Sequence, residues 1–398
     1  MAELEFKDFT FIKEQNRVKV TFLKIFYFYL SKNELNAIDE FGIKGNKIIF
    51  KAVSQAKAEK KFNQLLLKGF SGLKNPINGR KAVYVHRNSG IPLIGTIYFG
   101  IVDKGSDMIE LKPITGCNLN CIFCSVGEGE RKDLVDFVVE EEYLIEETKK
   151  LLDTKKGKVD VYINPHGEPL LYGDLTQLIK DLRKIKSVKK IILITNGTLL
   201  TENKIDELIK AGLDSFNLSI NALSQEKTEK LAGTGAISAK KLKETCRYIA
   251  KKNKLVLTPV LLSGLNEDEL IALGKFAGEI QAKVITQNYL SCKRGKKPVK
   301  ELSFEEFYLL MNEFARQNKI KLVEPLPKTR QTKELPIPFK KEQVIEAEIV
   351  CKGRHKSEII AAAKARAITA VNCKKNFGKV RIKLARSMHN VFFGECVK

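Results

Sequence analysis

The chain has 398 residues, of which 43% are hydrophobic and 29% are charged, and its formal net charge at pH 7 is +23. This composition is typical of a soluble globular protein with two or three domains. Eight cysteines in a chain of this length exclude a disulfide scaffold, and their clustering favours metal binding in a reducing compartment. The N-terminus lacks the basic start and apolar core of a signal peptide, and the most apolar run, residues 20–30, is too short to span a membrane. We therefore expect a cytoplasmic protein without a membrane partner.

The positive charge is concentrated in two flanking parts of the chain. Residues 44–87 contain eleven lysines and arginines against one acid, and residues 340–398 contain fourteen against five. Between residues 106 and 180 the sign reverses, with nine bases against fifteen acids. Two basic modules around an acidic centre suggest that the flanks contact a polyanion. The alternative is a lysine-rich composition that only maintains solubility.

Residues 1–105 are predicted to form a small α+β module. Residues 9–30 are rich in aromatic and β-branched side chains and indicate strands, and Ser54 can cap a helix over residues 54–69. Residues 81–85 and 96–102 are predicted strands joined through a turn-rich stretch. No residue pattern in this module indicates chemistry.

Residues 106–321 are predicted to form a core domain in which strands alternate with amphipathic helices. The predicted strands cover residues 109–113, 159–164, 190–195, 215–220, 255–262 and 283–289. The predicted helices cover residues 140–152, 175–185, 201–211, 236–252, 267–280 and 304–317. Six such repeats indicate an α/β fold with a parallel sheet, either doubly wound or closed into a full or partial barrel.

Small and polar residues follow the strands of this core. They are Cys117 to Cys124, His166-Gly167-Glu168-Pro169, Thr195-Asn196-Gly197-Thr198, Ser219-Ile220-Asn221, Ser263 to Asn266, and Cys292 to Lys297. Since chemistry in parallel α/β folds lies at the carboxyl ends of the strands, these segments are expected to share one site.

The remainder of the chain is predicted to form a linker and a third domain. Residues 322–342 contain four prolines, Pro325, Pro327, Pro336 and Pro338, and no apolar periodicity, which is typical of a linker. Residues 343–398 carry four strand-like runs, at 344–351, 367–373, 379–384 and 390–397. They predict a small β-barrel of the oligonucleotide-binding type.

Three cysteines in the core have the spacing of an iron–sulfur site. Cys117, Cys121 and Cys124 follow the first strand, with a glycine-containing turn (Gly127, Gly129) after them. Three thiolates can bind three irons of a [4Fe–4S] cluster and leave the fourth iron without a protein ligand, open for chemistry. A zinc site would need a fourth ligand at a fitting spacing, which the sequence does not offer.

This CxxxCxφC pattern, with Phe123 as the aromatic residue, resembles the radical S-adenosylmethionine superfamily. The resemblance extends over about 210 residues and implies a partial (βα)6 barrel. It further implies a cluster whose open iron binds the amino and carboxylate groups of S-adenosylmethionine. One electron then cleaves this cofactor into methionine and a 5′-deoxyadenosyl radical, which abstracts hydrogen from a substrate. A reducing electron donor is implied as a partner.

The resemblance also assigns expected roles to individual residues. His166 to Pro169 is similar to the superfamily's Gly-Gly-Glu-Pro segment, with His166 in place of the first glycine, and Glu168 is expected to bind the cofactor's amino group together with Gly167. A cationic amino group favours a carboxylate partner, although Glu168 could instead be an acid at the start of a helix. The other residues expected to contact the cofactor are Phe123, Thr195, Asn196, Ser219, Asn221 and Val260. Asn196 could alternatively be a simple turn residue. The sequence does not assign a catalytic residue.

The C-terminal domain resembles the TRAM domain, a small RNA-binding barrel, and the whole chain resembles an archaeal group within the superfamily. Basic side chains on its strands, Lys379, Arg381, Lys383 and Arg386, suit phosphate contacts. Phe392 and Phe393 are candidates for stacking on a base, although at least one is expected in the core. In the core domain, Lys293 and Arg294 lie in a basic loop that could guide a polyanion or simply be solvated.

The other five cysteines, Cys246, Cys292, Cys351, Cys373 and Cys396, have no ligand-like spacing and do not indicate auxiliary clusters. Cys246 is expected in the core. Cys292 and Cys396 are the two that could act chemically, for example by carrying a methyl group, as in some RNA-methylating relatives.

Three functional hypotheses follow. The first is a radical S-adenosylmethionine enzyme that modifies RNA, most directly tRNA, docked by the basic flanks. The second is the same chemistry on a small molecule, a lipid precursor or a protein. The third is an RNA-binding protein whose cluster is structural or redox-sensing, which the Glu168 and Asn196 segments argue against. The sequence does not indicate the oligomeric state.

Overall fold

The structure is a computed structural model that describes residues 1–128, 133–324 and 329–397. Gly129, Pro325, Pro327 and the last residue of the C-terminal domain lie outside the described residues. Among the helices of the described ranges, none is both long and apolar enough to cross a membrane.

The N-terminal module contains two three-stranded antiparallel sheets and one long helix. Its elements are β1 (Ala2–Glu5), β2 (Phe9–Lys13), β3 (Arg17–Phe22), β4 (Phe26–Ser31), α1 (Lys32–Asn36), β5 (Phe41–Lys44), β6 (Lys47–Phe50), α2 (Gln55–Phe70) and β7 (Ala82–Val85). The sheets have the orders β1-β6-β5 and β2-β3-β4. Phe9, Phe22 and Phe62 belong to the buried apolar core of this module. Ser54 occupies the first cap position of α2, but its side chain makes no capping hydrogen bond, so the prediction that it caps the helix was wrong in that detail.

The core domain is the largest part of the structure. The elements of its first half are β8 (Gly100–Asp103), β9 (Met108–Lys112), β10 (Thr115–Gly116), β11 (Asp136–Val139), α3 (Glu141–Lys155), β12 (Val159–Ile163), β13 (His166–Gly167), α4 (Leu175–Arg183), β14 (Val188–Thr195) and α5 (Glu202–Ala211). The remaining elements are β15 (Ser215–Leu218), α6 (Gln225–Ala232), α7 (Ala239–Lys252), β16 (Lys254–Leu257), β17 (Val260–Leu261), α8 (Glu267–Glu279), β18 (Lys283–Val284), β19 (Gln287–Asn288) and α9 (Phe304–Asn318).

Six parallel strands of this domain follow one another in chain order. The main sheet has the order β18-β16-β15-β14-β12-β9-β8, and each neighbouring pair is parallel except β8 and β9. Because the order never reverses, right-handed crossovers place all helices on the same side and curve the sheet. This arrangement confirms the partial barrel and excludes the doubly wound alternative.

The structure differs from the predicted strands and helices in several places. The strands predicted at residues 81–85 and 96–102 do not pair with each other, because β7 pairs with β11 and β8 adds to the main sheet. The fifth and sixth predicted strands are each interrupted, and their second halves, β17 and β19, form a separate pair. Helix α6 was not predicted, and the helix predicted from residue 236 begins at Ala239.

The C-terminal domain is a closed five-stranded barrel, as expected for a small β-barrel. It consists of β20 (Val344–Lys352), β21 (Glu358–Ala363), β22 (Arg366–Val371), β23 (Gly378–Arg386) and β24 (Phe393–Val397), in the closed order β20-β21-β22-β24-β23. Strand β21 was not predicted. Ile349, Ile382 and Phe392 lie in its apolar interior. Phe392 is therefore a core residue and not a candidate for stacking on a base.

Candidate metal and cofactor site

The loops at the carboxyl ends of the parallel strands enclose a cavity of about 530 Å³. All three cysteines of the predicted cluster site line it. The predicted cofactor residues that line it are Phe123, Gly167, Glu168, Thr195, Asn196, Ser219 and Val260. Asn221 lines a smaller adjoining cavity, which shares Cys121, Phe123 and Ser219 with the first. The expected convergence of segments far apart in sequence is therefore present in the fold.

The cysteine loop is held on one side by the end of α6. The backbone N–H of Asn120 donates to the carbonyl of Ala232 at 3.0 Å, and that of Ile122 donates to Leu231 at 3.1 Å. Gly233 has a φ of +62°, and a Cβ there would lie 2.1 Å from the carbonyl oxygen of Asn120. The unpredicted helix α6 therefore supports the loop that carries all three thiols.

The basic loop at residues 292–297 supports the cysteine loop from another side. The backbone N–H of Lys296 donates to the carbonyl of Cys124 at 3.0 Å, and its ammonium donates to the carbonyl of Asn120 at 2.9 Å. Burial raises the pKa of the Cys121 thiol to about 12, and the charge of Lys296 opposes that increase. Lys296 thus holds the cysteine loop and is not merely a solvated side chain.

The three thiols have the chemistry that a [4Fe–4S] cluster requires. All are free, and two accept hydrogen bonds from backbone N–H groups: Leu119 to Cys117 at 3.4 Å and Glu128 to Cys124 at 3.3 Å. Burial raises the pKa of each thiol, so a cation is needed to stabilise the thiolate form. No group of three His, Cys, Asp or Glu residues within the described ranges is arranged to bind a single metal ion. A cubane cluster has a different requirement, because each cysteine binds a separate iron.

Glu168 is a buried carboxylate at the end of β13. Its oxygens accept hydrogen bonds from the backbone N–H of Leu170 at 3.1 Å, the backbone N–H of Asn196 at 2.9 Å, and the hydroxyl of Thr195. Burial raises its pKa to about 7, and these hydrogen bonds oppose the increase. Since a nearby cation would offset the cost of burying the charge, the site suits a ligand with an ammonium group.

Asn196 lies between the Glu168 segment and the cysteine loop. Its side-chain amide donates to Asn118 at 3.0 Å and points to the sulfur of Cys117 at 3.8 Å. Its side-chain oxygen accepts from the backbone N–H of Thr198 at 3.0 Å, which is the turn contact of the alternative interpretation. Asn196 therefore shapes the turn and also reaches the cluster side of the cavity.

Asn221 connects two strand ends on the far side of the cavity. Its side-chain oxygen accepts from the backbone N–H of Val260 at 2.9 Å, and its amide points to the carbonyl of Ser219 at 3.4 Å. Phe123 and Val260 belong to a small apolar cluster that also contains Tyr289. An apolar wall beside a polar rim is suited to a flat heterocyclic ligand.

Gly167 is required by a close approach of two backbones. A Cβ at this position would lie 2.0 Å from the carbonyl oxygen of Gly116, the partner of Gly167 in the β10–β13 pair. We expect Gly167→Ala to lower the free energy of unfolding by about 3 kcal/mol, as overpacking typically costs about 1–3 kcal/mol. Urea denaturation measures the loss. Gly264→Ala is the control, because Gly264 also has a positive φ but nothing within 4 Å, and an equal loss in both variants would contradict the steric explanation.

A polar wall of the same cavity was not predicted from the sequence. Glu110 and Lys112 on β9 face the cavity, and Lys112 donates to the carbonyl of Asn164 at 2.7 Å and pairs with Glu110 at 3.0 Å. The alternation of β9, in which Ile109 and Leu111 are buried, could have indicated that Glu110 and Lys112 point to the opposite face. His166 also lines the cavity, and burial lowers its pKa to about 3, so the imidazole is neutral.

All three domains meet at a buried charge cluster beside the cysteine loop. Arg354, in the turn after β20, forms ion pairs with Glu128 and with Asp136 (2.8 Å). Arg80 of the N-terminal module pairs with the same two acids, at 2.6 Å and 3.5 Å. The backbone of Glu128 donates to the sulfur of Cys124. Docking of both basic modules is therefore coupled to the position of a predicted cluster ligand.

Arg354→Met is expected to lower the free energy of unfolding by about 3 kcal/mol, because removing one partner leaves buried carboxylates uncompensated. Arg330→Met is the matched control: Arg330 pairs with Asp107 at 3.1 Å but its side chain is 71% exposed, so less than about 1 kcal/mol should be lost. Thermal and chemical denaturation of the two variants measure the difference in stability. Similar losses would show that the buried charge cluster stabilises the fold no more than a surface ion pair does.

The predicted nucleic-acid residues occupy different environments. Arg294 forms an ion pair with Glu358 and a hydrogen bond with Tyr98, so it links the core to the barrel, whereas Lys293 is exposed. On β23, Lys379, Arg381 and Lys383 point outward, alternating with inward apolar residues, and Arg386 is also exposed. Lys379 pairs with Glu346 and Lys383 with Glu342, both on the surface.

The remaining cysteines divide into three groups. Cys246 and Cys351 are free, and Cys246 is buried as expected. Cys292 is free, exposed and lines the main cavity. Cys373 and Cys396 form a disulfide, so Cys396 has no free thiol for the chemistry that the sequence left open.

The fold and the site together define a partial-barrel enzyme whose strand ends surround three thiols and a buried carboxylate. A family model described as the Radical SAM superfamily matches residues 111–277, so this part of the core domain is a radical SAM domain. Enzymes of the superfamily use a [4Fe–4S] cluster and S-adenosylmethionine, and they need a reductant.

Known proteins resemble the chain to different extents. An uncharacterised protein of Methanocaldococcus jannaschii is 34% identical and is covered over 98% of its length, with 100% of this chain aligned. A GTP 3′,8-cyclase of Clostridium botulinum is 32% identical over 39% of this chain and 47% of its own length, so the chain spans about half of that relative. The structure of SuiB from Streptococcus suis bound to S-adenosylmethionine has a TM-score of 0.42 and 16% identity, covering 80% of this chain and 72% of SuiB.

Proposed function

We propose that this radical SAM enzyme modifies RNA, with tRNA as its substrate. The observation that carries the proposal is the basic outer face of β23. Lys379, Arg381 and Lys383 alternate with buried residues, so three cations point to one side of a barrel strand. A row of cations at this spacing suits consecutive phosphates and gives salt-dependent contacts that are largely independent of sequence.

We further propose the residues that hold the cofactors. Cys117, Cys121 and Cys124 bind the cluster, and Glu168, with the backbone at Gly167, binds the amino group of S-adenosylmethionine. Thr195, Asn196, Ser219 and Asn221 supply further polar contacts, and Phe123 and Val260 pack against the adenine. When bound, the cluster supplies the electron that converts S-adenosylmethionine into methionine and a 5′-deoxyadenosyl radical.

The protein's own contribution is to position the cofactor and to exclude water from part of the cavity. Glu168 is 1% exposed, and its three hydrogen bonds fix the carboxylate before any ligand arrives. This preorganisation lowers the cost of orienting the bound cofactor. Apolar residues around Phe123 keep water from that part of the cavity, which protects a reactive radical. Glu110, Lys112 and His166 remain on the polar wall, where they are available to contact a substrate.

Mass spectrometry of tRNA nucleosides tests the RNA substrate directly. A strain lacking the gene should lack one modified nucleoside, wild-type protein should restore it, and Cys121→Ala protein should not. An unchanged nucleoside profile would contradict the proposal and favour a small molecule, a lipid precursor or a protein as substrate.

A further inference from the structure

The loop between β22 and β23 has an unusual combination of charge and exposed aromatic surface. Phe377 is 84% exposed, the most exposed aromatic side chain in the described ranges. Moving such a ring out of water and onto a partner is favourable, whereas a ring left in water does not stabilise the monomer. Lys374 and Lys375 in the same loop are also exposed.

A basic groove of about 310 Å³ lies beside this loop. Its cationic lining residues are Lys374, Lys375, Lys379 and Arg381, and Glu346 is the acid among them. The groove is therefore positive, and it is continuous with the outer face of β23. Phe377 belongs to the loop that contributes Lys374 and Lys375 to this lining. A basic groove combined with an aromatic side chain is an arrangement by which proteins bind single-stranded nucleic acid.

The loop is constrained at its base. The disulfide between Cys373 and Cys396 ties the start of the loop to β24, with the two Cα atoms 5.1 Å apart. Asn372 and Gly378 both have positive φ and turn the chain at the two ends of the loop. A loop fixed in this way loses less conformational freedom when it binds a partner.

We propose that this loop and groove bind a single-stranded segment of RNA, with Phe377 stacked on a base and Lys374, Lys375 and Lys379 contacting phosphates. The inference rests on the proposed RNA substrate and names the surface that binds it. It also replaces the expected stacking residues: Phe392 is buried, and the ring of Phe393 lies 5.9 Å from the guanidinium of Arg294. A membrane surface is the competing partner, but one aromatic ring offers little apolar area for insertion.

The test measures binding of the full-length protein to a fluorescently labelled single-stranded RNA of about twelve nucleotides, long enough for one small barrel. Fluorescence anisotropy is recorded without added reductant over a series of salt concentrations. Phe377→Ala should weaken binding about tenfold at every salt concentration, since stacking on a base does not release counterions. Phe377→Trp should keep wild-type affinity within about twofold, because indole also stacks.

Two further variants separate charge from stacking. The double variant Lys374→Gln, Lys375→Gln should reduce the slope of log K against log salt by about 1.4, the value for two lost phosphate contacts on a single strand. Leu309→Ala is the control for an exposed apolar residue elsewhere, since Leu309 on α9 is 65% exposed. It should bind RNA like the wild type.

The outcomes distinguish this inference from the proposed function. If the wild type binds RNA and Phe377→Ala binds equally well, the stacking site is refuted while the RNA substrate stands. If the wild type does not bind the labelled RNA, the single-strand site is refuted, whereas the tRNA substrate is decided separately by the nucleoside profile. Binding to vesicles of phosphatidylcholine and phosphatidylglycerol in the absence of RNA binding would refute the RNA site and assign the loop to a membrane surface.

Discussion

Cys121→Ala is expected to eliminate the [4Fe–4S] cluster from the protein after anaerobic reconstitution. The three thiols share one cavity, and the Cys121 position is fixed by the flanking hydrogen bonds of Asn120 and Ile122 to the end of α6. A cubane cluster left with only two cysteine ligands loses one of its three protein–iron bonds. Iron and sulfide analysis and the visible absorbance of the cluster measure the result, which should be near-complete loss.

Cys292→Ser is the matched control for this variant. Cys292 is a free thiol that lines the same cavity and is exposed, so it has the access but not the predicted role of a ligand. It should retain the full iron content of the wild type. Loss of the cluster in Cys292→Ser, or its retention in Cys121→Ala, would contradict the assignment of the three ligands.

Glu168→Gln is expected to weaken the binding of S-adenosylmethionine by about tenfold to a hundredfold, while leaving the cluster in place. A hydrogen bond to a charged group contributes about 1.5–3 kcal/mol, and the amide removes the charge while keeping the shape. The amide also has one accepting oxygen in place of two, so the hydrogen bond from the backbone N–H of Leu170 or from that of Asn196 is lost. Isothermal titration calorimetry of the reconstituted protein measures the affinity.

Glu269→Gln controls for the loss of a buried carboxylate that accepts backbone hydrogen bonds. Glu269 is 5% exposed, and it accepts from the N–H groups of Leu223 (2.6 Å) and Ser224 (3.3 Å). Its variant should bind S-adenosylmethionine like the wild type. Equal weakening in both variants would show that Glu168 acts through folding and not through contact with the cofactor.

The convergence of the segments that follow the strands could be predicted from the sequence, for a physical reason. Parallel strands connected by right-handed crossovers must place their carboxyl ends at the same edge, so residues after each strand converge even when they are far apart in the chain. Cys117, Glu168 and Asn196 meet in this way. Their contacts could be anticipated from strand order alone, without knowledge of side-chain packing.

The missed elements lacked the patterns on which prediction depends. Helix α6 (QEKTEKLA) is short and half of its residues are charged, so it has no extended apolar stripe that would reveal a helix. Strand β21 (EIIAAA) is rich in alanine, which is uncommon in strands, and it forms because the barrel needs a fifth strand to close. The secondary structure of both segments therefore depends on their tertiary contacts and not on their local sequence pattern.

Contacts between the domains could not be predicted from the sequence. Arg354 donates to Thr115, 239 positions earlier in the chain, and no local pattern connects the two. The basic composition suggested phosphate contacts for cations of the C-terminal domain and for Arg294 of the core domain. Arg354 and Arg294 are instead used in ion pairs with Glu128 and Glu358, which dock the barrel on the core.

Formation of 5′-deoxyadenosine tests the central claim most directly. Reconstituted full-length protein is incubated anaerobically with dithionite and S-adenosylmethionine, and the products are separated and identified by mass spectrometry. We expect the wild type to form 5′-deoxyadenosine and methionine, and Cys121→Ala to form neither. A wild-type protein with a complete [4Fe–4S] cluster that forms no 5′-deoxyadenosine would contradict the assignment of this cavity as a radical-generating site.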